Sequence, residues 1–551
     1  MAFGMTGYGS TGHAAQDFDF VIIGAGTAGC LIANRLTQSG KYSALLIEAG
    51  KRQRHPAIGI PLGVGHVWNN PKFNWNYRSQ SEPGLGGREV YLSRGRLVGG
   101  SSAINAMNHV RGNRSDFDRW QDLGLEGWGY DHVLPLFKRS ENYISDKSQY
   151  RGDSGEMQVS QARHTDPLVV SLMRSLASAG FEPVEDYNGP VQEGFGRAQF
   201  NIGDGRRRDS ASSFLYPALR RKNLSLLTKA LVRRLLFSTD RRVTGVEVDL
   251  EGNVQRISAR REVVVCAGAY NSPTLLMASG IGASSSLSSL GIQVVADLPG
   301  VGQNLFDHPK IALEFGRTVT SNIFDTMRID RLLLRFAQAW LLRTGLATDP
   351  LVAAHLFTKS DRFLPSPDLQ ILMRLFNPRL RPRLPFLPSN ERDSFGFLTC
   401  LLNPKSRGSV RLAAPDAHVP PAICSNFLQA EEDVSALVRS VHIVRDIASQ
   451  PPLAFHSLGE TLPGRNVAAD EDLVQFVRAT ADTIFHPAGT CAMGVGKDAV
   501  VDVDLSVRNV RGLRVADASI MPLPVSGNTN AAVLMIAEKA SERILSAALS
   551  H

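Results

Sequence analysis

A glycine turn set between a short apolar strand and a helix constrains this chain more than any other feature. Phe18 to Ile23 is an apolar run of strand character, Gly24-Ala25-Gly26-Thr27-Ala28-Gly29 follows it, Cys30 to Gln38 is helix-like, and Ala44 to Glu48 reads as a second strand. This order predicts a β-α-β unit and so a parallel pair of strands. Each glycine has a use at this spacing. Gly24 permits a tight turn, Gly26 lets the backbone approach a pyrophosphate, and Gly29 lets the helix pack onto its strand, with the helix N-terminus facing the phosphates. Glu48 closes the second strand 19 residues after Gly29, where a carboxylate bonds ribose hydroxyls and repels a 2′-phosphate. With Thr27, Ala28 and Ala49 beside them, these residues predict a dinucleotide site. They do not separate FAD from NAD.

The remaining features exclude more than they add. At roughly 100–200 residues per domain, 551 residues make about two to four units or two large interleaved ones. Hydrophobic residues at 43% and charged residues at 20% exclude disordered and fibrous classes. The net charge of +8 comes without an aromatic-interleaved basic motif, so no nucleic-acid partner is expected. Cys30, Cys266, Cys400, Cys424 and Cys491 form no C-x-x-C pair, which predicts neither a disulfide framework nor a zinc site and suits a reducing compartment. Met1 to Phe20 lacks the pattern of a secretory leader, and no apolar run reaches the ~18–20 residues of a membrane span. The expected location is cytoplasmic.

Further along, Asp166-Pro167 predicts a helix start, and Leu224 to Thr228, Val243 to Asp249 and Glu262 to Ala267 are short apolar runs between turns. Asn271-Ser272-Pro273-Thr274 is expected to open a helix to about Ala278. Residues 319–395 read as a cover over the site, with an amphipathic stretch from Arg331 to Arg343 and a Pro/Arg loop from Asn377 to Pro385. Gly99-Gly100-Ser101-Ser102 offers closely spaced N–H groups and hydroxyls suited to a flavin edge or a pyrophosphate, and Asn105 adds an amide.

Three segments then carry a resemblance. Arg94-Gly-Arg-Leu-Val-Gly-Gly-Ser-Ser-Ala-Ile-Asn105, the stretch Gly268 to Gly282, and His486-Pro-Ala-Gly-Thr490 with Gly527-Asn-Thr-Asn-Ala531 occur in the order seen in glucose-methanol-choline (GMC) oxidoreductases. From about Phe18 to Leu545 the chain resembles that family, in particular its choline dehydrogenase-like and aliphatic alcohol dehydrogenase branch. The resemblance implies FAD. It places Gly99, Gly100, Ser101, Asn105 and Ala106 against the cofactor, Val232 at the adenine, and the turns Ala267-Gly268 and Asp517-Ala518 beside the flavin. Asn528 and Thr529 precede a helix from near Asn530, whose positive end would face the isoalloxazine. Ile104 stands where some relatives carry a flavin-linking histidine, so the FAD is expected to be non-covalent.

The same resemblance implies His486 as catalytic base facing flavin N5 and Asn528 as its partner on the substrate oxygen. His486 is expected to titrate near the ordinary histidine value. His308 is read as part of a structural turn, and Ile484 as a neighbour of the flavin edge. The expected fold is α/β: a Rossmann-like FAD-binding domain (1–160, 205–315, 480–551) interleaved with a sheet-plus-helices substrate domain (161–204, 316–479). The expected reaction is oxidation of a primary alcohol, with electrons passed to a quinone-like acceptor or oxygen. Residues 321–390 carry ten Lys/Arg against five Asp/Glu, which favours an aliphatic or aromatic alcohol with a remote carboxylate over choline. Choline dehydrogenase activity, non-oxidative chemistry on the same fold, as in hydroxynitrile lyases and fatty acid photodecarboxylases, and a scaffold role are the alternatives. The Arg331 to Arg343 stretch reads first as a solvated or core-packing helix, with peripheral contact at the inner face of the membrane as the further reading.

Overall fold

The computed structural model describes residues 17–53, 55–145, 148–164, 166–377, 380–386 and 392–549. Most of the leader reading on Met1 to Phe20, and part of the Pro/Arg loop, lie outside the described residues. Asp17–Ile23 and Ala44–Glu48 pair in parallel with the helix Thr27–Thr37 between them. That helix begins inside the glycine loop, earlier than the apolar pattern suggests, because Gly26 caps it and its carbonyl accepts from Cys30 N at 3.1 Å.

The first seven-stranded sheet runs Leu224–Thr228, Ala44–Glu48, Asp17–Ile23, Asn253–Val265, Val243–Leu250, Ala230–Phe237, with Leu513–Val515 beside Asn253–Val265. Its parallel strands end in one row, since Leu227, Ile47, Ile23, Val265 and Val515 are in register. Their carboxyl ends therefore open on a single crevice, the position where doubly wound sheets bind nucleotides.

The second seven-stranded sheet runs Ser457–Leu462, Pro309–Arg317, Ser394–Leu401, Leu369–Arg374, Val352–Thr358, Gly194–Arg197, with Asp482–Thr483 also on Pro309–Arg317. Its faces have different tasks, set by the two-residue period of a strand. Ile311, Leu313, Ile371, Met373 and Phe397 pack into one core with Val434, Leu437 and Val441 of the helix Glu431–Ser449. The alternate residues Lys310, Ala312, Glu314, Leu372, Arg374 and Leu398 face a cavity.

Two expectations are corrected. Residues 319–395 are more than a cover: besides the helix Ile329–Leu342 they supply the strands Val352–Thr358 and Leu369–Arg374. Leu369–Arg374 is buried on both faces apart from its last residue, so no alternation marks it. The helix expected to open at Asn271 starts instead at Gly268 and contains Pro273. Proline there removes the N–H that would bond the Ala269 carbonyl. Thr490 Oγ1 donates to that carbonyl at 2.6 Å, so the helix runs on.

Candidate active site

A cavity of about 1400 Å³ lies between the carboxyl ends of the parallel strands and the second sheet. Gly24, Gly26, Thr27, Ala28, Glu48, Ala49, Gly100, Ser101, Asn105, Ala106, Val232, Ala267, Gly268, Asp517, Ala518, His486, Asn528 and Thr529 all line it. Gly29 and Gly99 do not. Gly29 is a packing position, where a Cβ would overlap the Gly24 carbonyl oxygen. Gly99 is a turn position, with φ +99° and its N–H donating to Ala25 O at 2.8 Å.

The glycine loop is built to leave room at one place only. Gly24 takes φ +100° and a Cβ on it would press against the Cys266 carbonyl, whereas a Cβ on Gly26 would meet nothing within 4 Å and would stand in the cavity. Gly100 packs so closely that its Cβ would lie 2.7 Å from Gly26 Cα. Thr27 Oγ1 donates to Asn530 Oδ1 at 2.8 Å, tying this first motif to the last helix, Thr529–Leu549. Glu48 accepts from Ala25 N at 3.0 Å and from Gly50 N at 2.7 Å. Burial pushes its carboxyl up to about 7 despite these bonds and Arg96. Asp517 spends its carboxylate on the protein: Oδ2 accepts from Gly268 N at 2.8 Å and Ser272 Oγ at 2.6 Å, which locks two turns together. Asn105 Oδ1 likewise accepts from Met107 N at 3.0 Å and Arg207 at 2.8 Å. A cradle closed by glycines, open at Gly26 and bearing a buried acid at the strand end fits a dinucleotide such as FAD.

The reactive end is a chain of buried polar groups. His486 and Asn528 are each 8% exposed, and Asn528 Nδ2 lies 3.1 Å from His486 Nε2. On its other side His486 Nδ1 lies 3.0 Å from His308 Nδ1, the rings meeting edge to face at 88°. Asn528 Oδ1 accepts from Gln370 Nε2 at 3.3 Å. The backbone that presents His486 is held hard: Phe485 sits at φ +68°, a conformation bulky residues avoid, and its N–H donates to Thr483 Oγ1 at 2.6 Å. His486 N donates to Asp307 Oδ1 at 2.8 Å, and Arg94 donates to the Phe485 carbonyl.

Burial, then the neighbouring His308 and Arg94, hold His486 well below the ordinary histidine value. The expectation of an unshifted histidine is thus corrected: the ring is neutral at neutral pH and can accept a proton. His308, read from the sequence as a turn residue, is a direct partner of His486. Its one sequence signal was its place in Asp307-His308-Pro309; the strand Pro309–Arg317 begins directly after it and carries Lys310 into the cavity wall. Gln370 was missed as well, and its signal was a lone amide inside the apolar run Leu369-Gln370-Ile371-Leu372.

A nucleotide cradle and a buried histidine–amide pair thus share one cavity, roofed by a second sheet. Residues 18–310 and 404–537 match the N-terminal and C-terminal models of the GMC oxidoreductases, and the chain belongs to that family. An oxygen-dependent choline dehydrogenase from Rhizobium etli is 39% identical over 532 residues, covering 96% of this chain and 95% of that one. One from Brucella anthropi is 37% identical over 534 residues, covering 96% of each. Among solved structures, pyridoxine 4-oxidase from Mesorbium loti matches with a TM-score of 0.84 at 31% identity, over 95% of this chain and 98% of that one. A variant of formate oxidase from Aspergillus oryzae RIB40 matches with a TM-score of 0.91 at 26% identity, over 98% and 100%.

Proposed function

We propose that the chain oxidises a primary alcohol to an aldehyde, with His486 as catalytic base and Asn528 as the group that positions the alcohol oxygen. The observation that carries this reading is the 3.1 Å approach of His486 Nε2 and the Asn528 amide inside the cofactor cavity. Bound FAD supplies a hydride acceptor at N5. The chain does the rest: Asn528 orients the hydroxyl oxygen, and neutral His486 takes the hydroxyl proton as the carbinol hydride departs. Burial of both groups excludes water from the transfer. Anaerobic incubation with a panel of alcohols, followed by loss of the flavin colour and detection of the matching aldehyde, tests the reading; a colour loss without aldehyde would point to other chemistry.

The FAD is held without a covalent bond, because Ile104, which lines the cavity, has no nucleophile to form one. Acid precipitation is expected to leave all the flavin in the supernatant, and yellow pelleted protein would contradict this. For the substrate, the cavity face of the second sheet offers Lys310 and Arg374 against Glu314. Lys310 pairs with Asp482 at 2.9 Å and Arg374 stands 3.7 Å from Glu314. From the two cations on this wall we infer an aliphatic or aromatic alcohol with a remote carboxylate, with choline, whose cation the aromatic residues Trp68, Trp75 and Phe485 of the same cavity could hold, as the alternative.

The acceptor we infer is a quinone in preference to oxygen, met at the inner face of the membrane, and the free cysteines suit a reducing compartment. The helix Ile329–Leu342 lines the cavity through Leu332, Leu333 and Phe336, yet leaves Leu333, Leu334 and Leu341 66%, 69% and 74% exposed, with Arg331, Arg335 and Arg343 along it. Apolar residues flanked by arginines suit an anionic bilayer surface. Among the described residues no helix is long and apolar enough to cross a membrane. The holoenzyme is expected to sediment with anionic vesicles at low salt and to be released by Leu334→Glu with Leu341→Glu. Equal sedimentation of parent and variant would contradict it.

A further inference from the structure

We propose that His308 is a positioning residue that fixes the tautomer of His486, and so keeps the nitrogen facing the substrate free of its proton. The proposal rests on His486 being the base. A histidine accepts a proton only through a ring nitrogen that carries none, and in a neutral imidazole the hydrogen bond made by one nitrogen decides the state of the other. The nitrogen beside Asn528 is Nε2, so the base requires the hydrogen to sit on Nδ1.

Nδ1 of His486 lies 3.0 Å from Nδ1 of His308. Between two neutral rings such a contact holds one hydrogen, and one ring must donate while the other accepts. The surroundings of His308 decide which. His308 also hydrogen-bonds the main chain of Leu402, a contact that favours a proton on His308 and is therefore made to the carbonyl. With Nδ1 engaged by His486, the nitrogen that donates to Leu402 is Nε2. A neutral His308 has no second hydrogen, and burial keeps it neutral by lowering it to about 4. Its Nδ1 must accept, so His486 Nδ1 donates and His486 Nε2 presents a lone pair.

The remaining bonds run in the same sense. Gln370 Nε2 donates to Asn528 Oδ1 at 3.3 Å, and Asn528 Nδ2 in turn faces His486 Nε2 as a donor. The chain Gln370, Asn528, His486, His308, Leu402 thus has one polarity from end to end. It also bears on the proton-transfer step. Once His486 has taken the alcohol proton on Nε2, its Nδ1–H keeps the His308 lone pair as partner, which stabilises the imidazolium.

The test uses the FAD-loaded enzyme and three variants. His308→Asn retains a carbonyl oxygen near the position of Nδ1, whereas His308→Leu and His308→Met fill the space without an acceptor; the second apolar variant covers a folding failure of the first. Nitrogen NMR of ring-labelled histidine, assigned by the signals missing in His486→Ala, is expected to show His486 protonated on Nδ1 and bare on Nε2 in the parent and in His308→Asn. In the apolar variants the two nitrogens should move towards each other. Anaerobic flavin reduction should slow about 10–100-fold in the apolar variants, by analogy with loss of the partner that orients a metal-bound histidine, and only a few-fold in His308→Asn. A parent enzyme with Nε2 protonated overturns the tautomer assignment whatever the substrate proves to be. Asn and Leu variants that slow equally, with full FAD, overturn the role of His308 alone and leave the alcohol-oxidising reading standing.

Discussion

His486→Ala is expected to slow anaerobic flavin reduction by an alcohol about 10²- to 10⁴-fold, the range of a lost general base, while keeping its FAD. The cradle that holds the nucleotide is made by the glycine loop, Glu48 and the turns locked by Asp517, and none of these depends on the imidazole. The alcohol proton, by contrast, loses its acceptor. Asn528→Ala should also slow the step, through the same oxygen, and the double variant should lose less than the product of the two, because both side chains act on one atom. The pH dependence follows from the direction of the shift. Burial, His308 and Arg94 depress His486, so the unprotonated, active form predominates at neutral pH and above. The rate in the parent should be level from the ordinary histidine range, about 6.5, upward and fall only as the pH drops well below it. A fall beginning near pH 7, or a His486→Ala enzyme as fast as the parent at equal FAD content, would remove His486 from the chemistry.

Two glycines three positions apart should respond in opposite ways to the same methyl group. Gly29→Ala forces a Cβ into the Gly24 carbonyl and against Leu46 Cδ1, so the helix Thr27–Thr37 must move off its strand. Overpacking of this kind costs about 1–3 kcal/mol or more, and it should lower the melting temperature with or without FAD. Gly26→Ala meets no protein atom within 4 Å and should leave the stability of the cofactor-free protein within about 0.5 kcal/mol. Its methyl stands in the cavity, and FAD affinity should fall about tenfold or more, the equivalent of ~1.4 kcal/mol. Thermal melting and flavin titration separate the two effects. If Gly26→Ala bound FAD as tightly as the parent, the pyrophosphate would not lie against that residue.

What the amino-acid sequence reveals of this fold depends on how far apart the interacting residues are. The β-α-β unit is local: an apolar run, three glycines, a helix and Glu48 follow one another within about thirty positions, and every signal agrees with the next. The second sheet is not local. Val352–Thr358 and Leu369–Arg374 pair with each other, but the sheet is completed by Gly194–Arg197 and Pro309–Arg317, distant in sequence from their partners, and burial on both faces erases the alternation that marks a half-buried strand. The cavity residues followed the same rule. His486 and Asn528 were found through motifs that stand in a recognisable order. His308 meets His486 across 178 positions and Gln370 meets Asn528 across 158, and no local period encodes either contact. The depressed state of His486 was equally hidden, since it comes from burial and from neighbours that only the folded chain assembles.

Removal of hydride from the carbinol carbon of an alcohol can be watched by rapid anaerobic mixing of the FAD-loaded enzyme with a primary alcohol. The same alcohol deuterated at the carbinol carbon is run alongside. The flavin colour is expected to be lost in a single turnover, more slowly with the deuterated alcohol, and the aldehyde formed to equal the flavin reduced. A flavin that stays oxidised with every alcohol of a broad panel, although the enzyme is fully loaded, would rule out alcohol oxidation by this chain, as would bleaching indifferent to deuterium and unaccompanied by aldehyde.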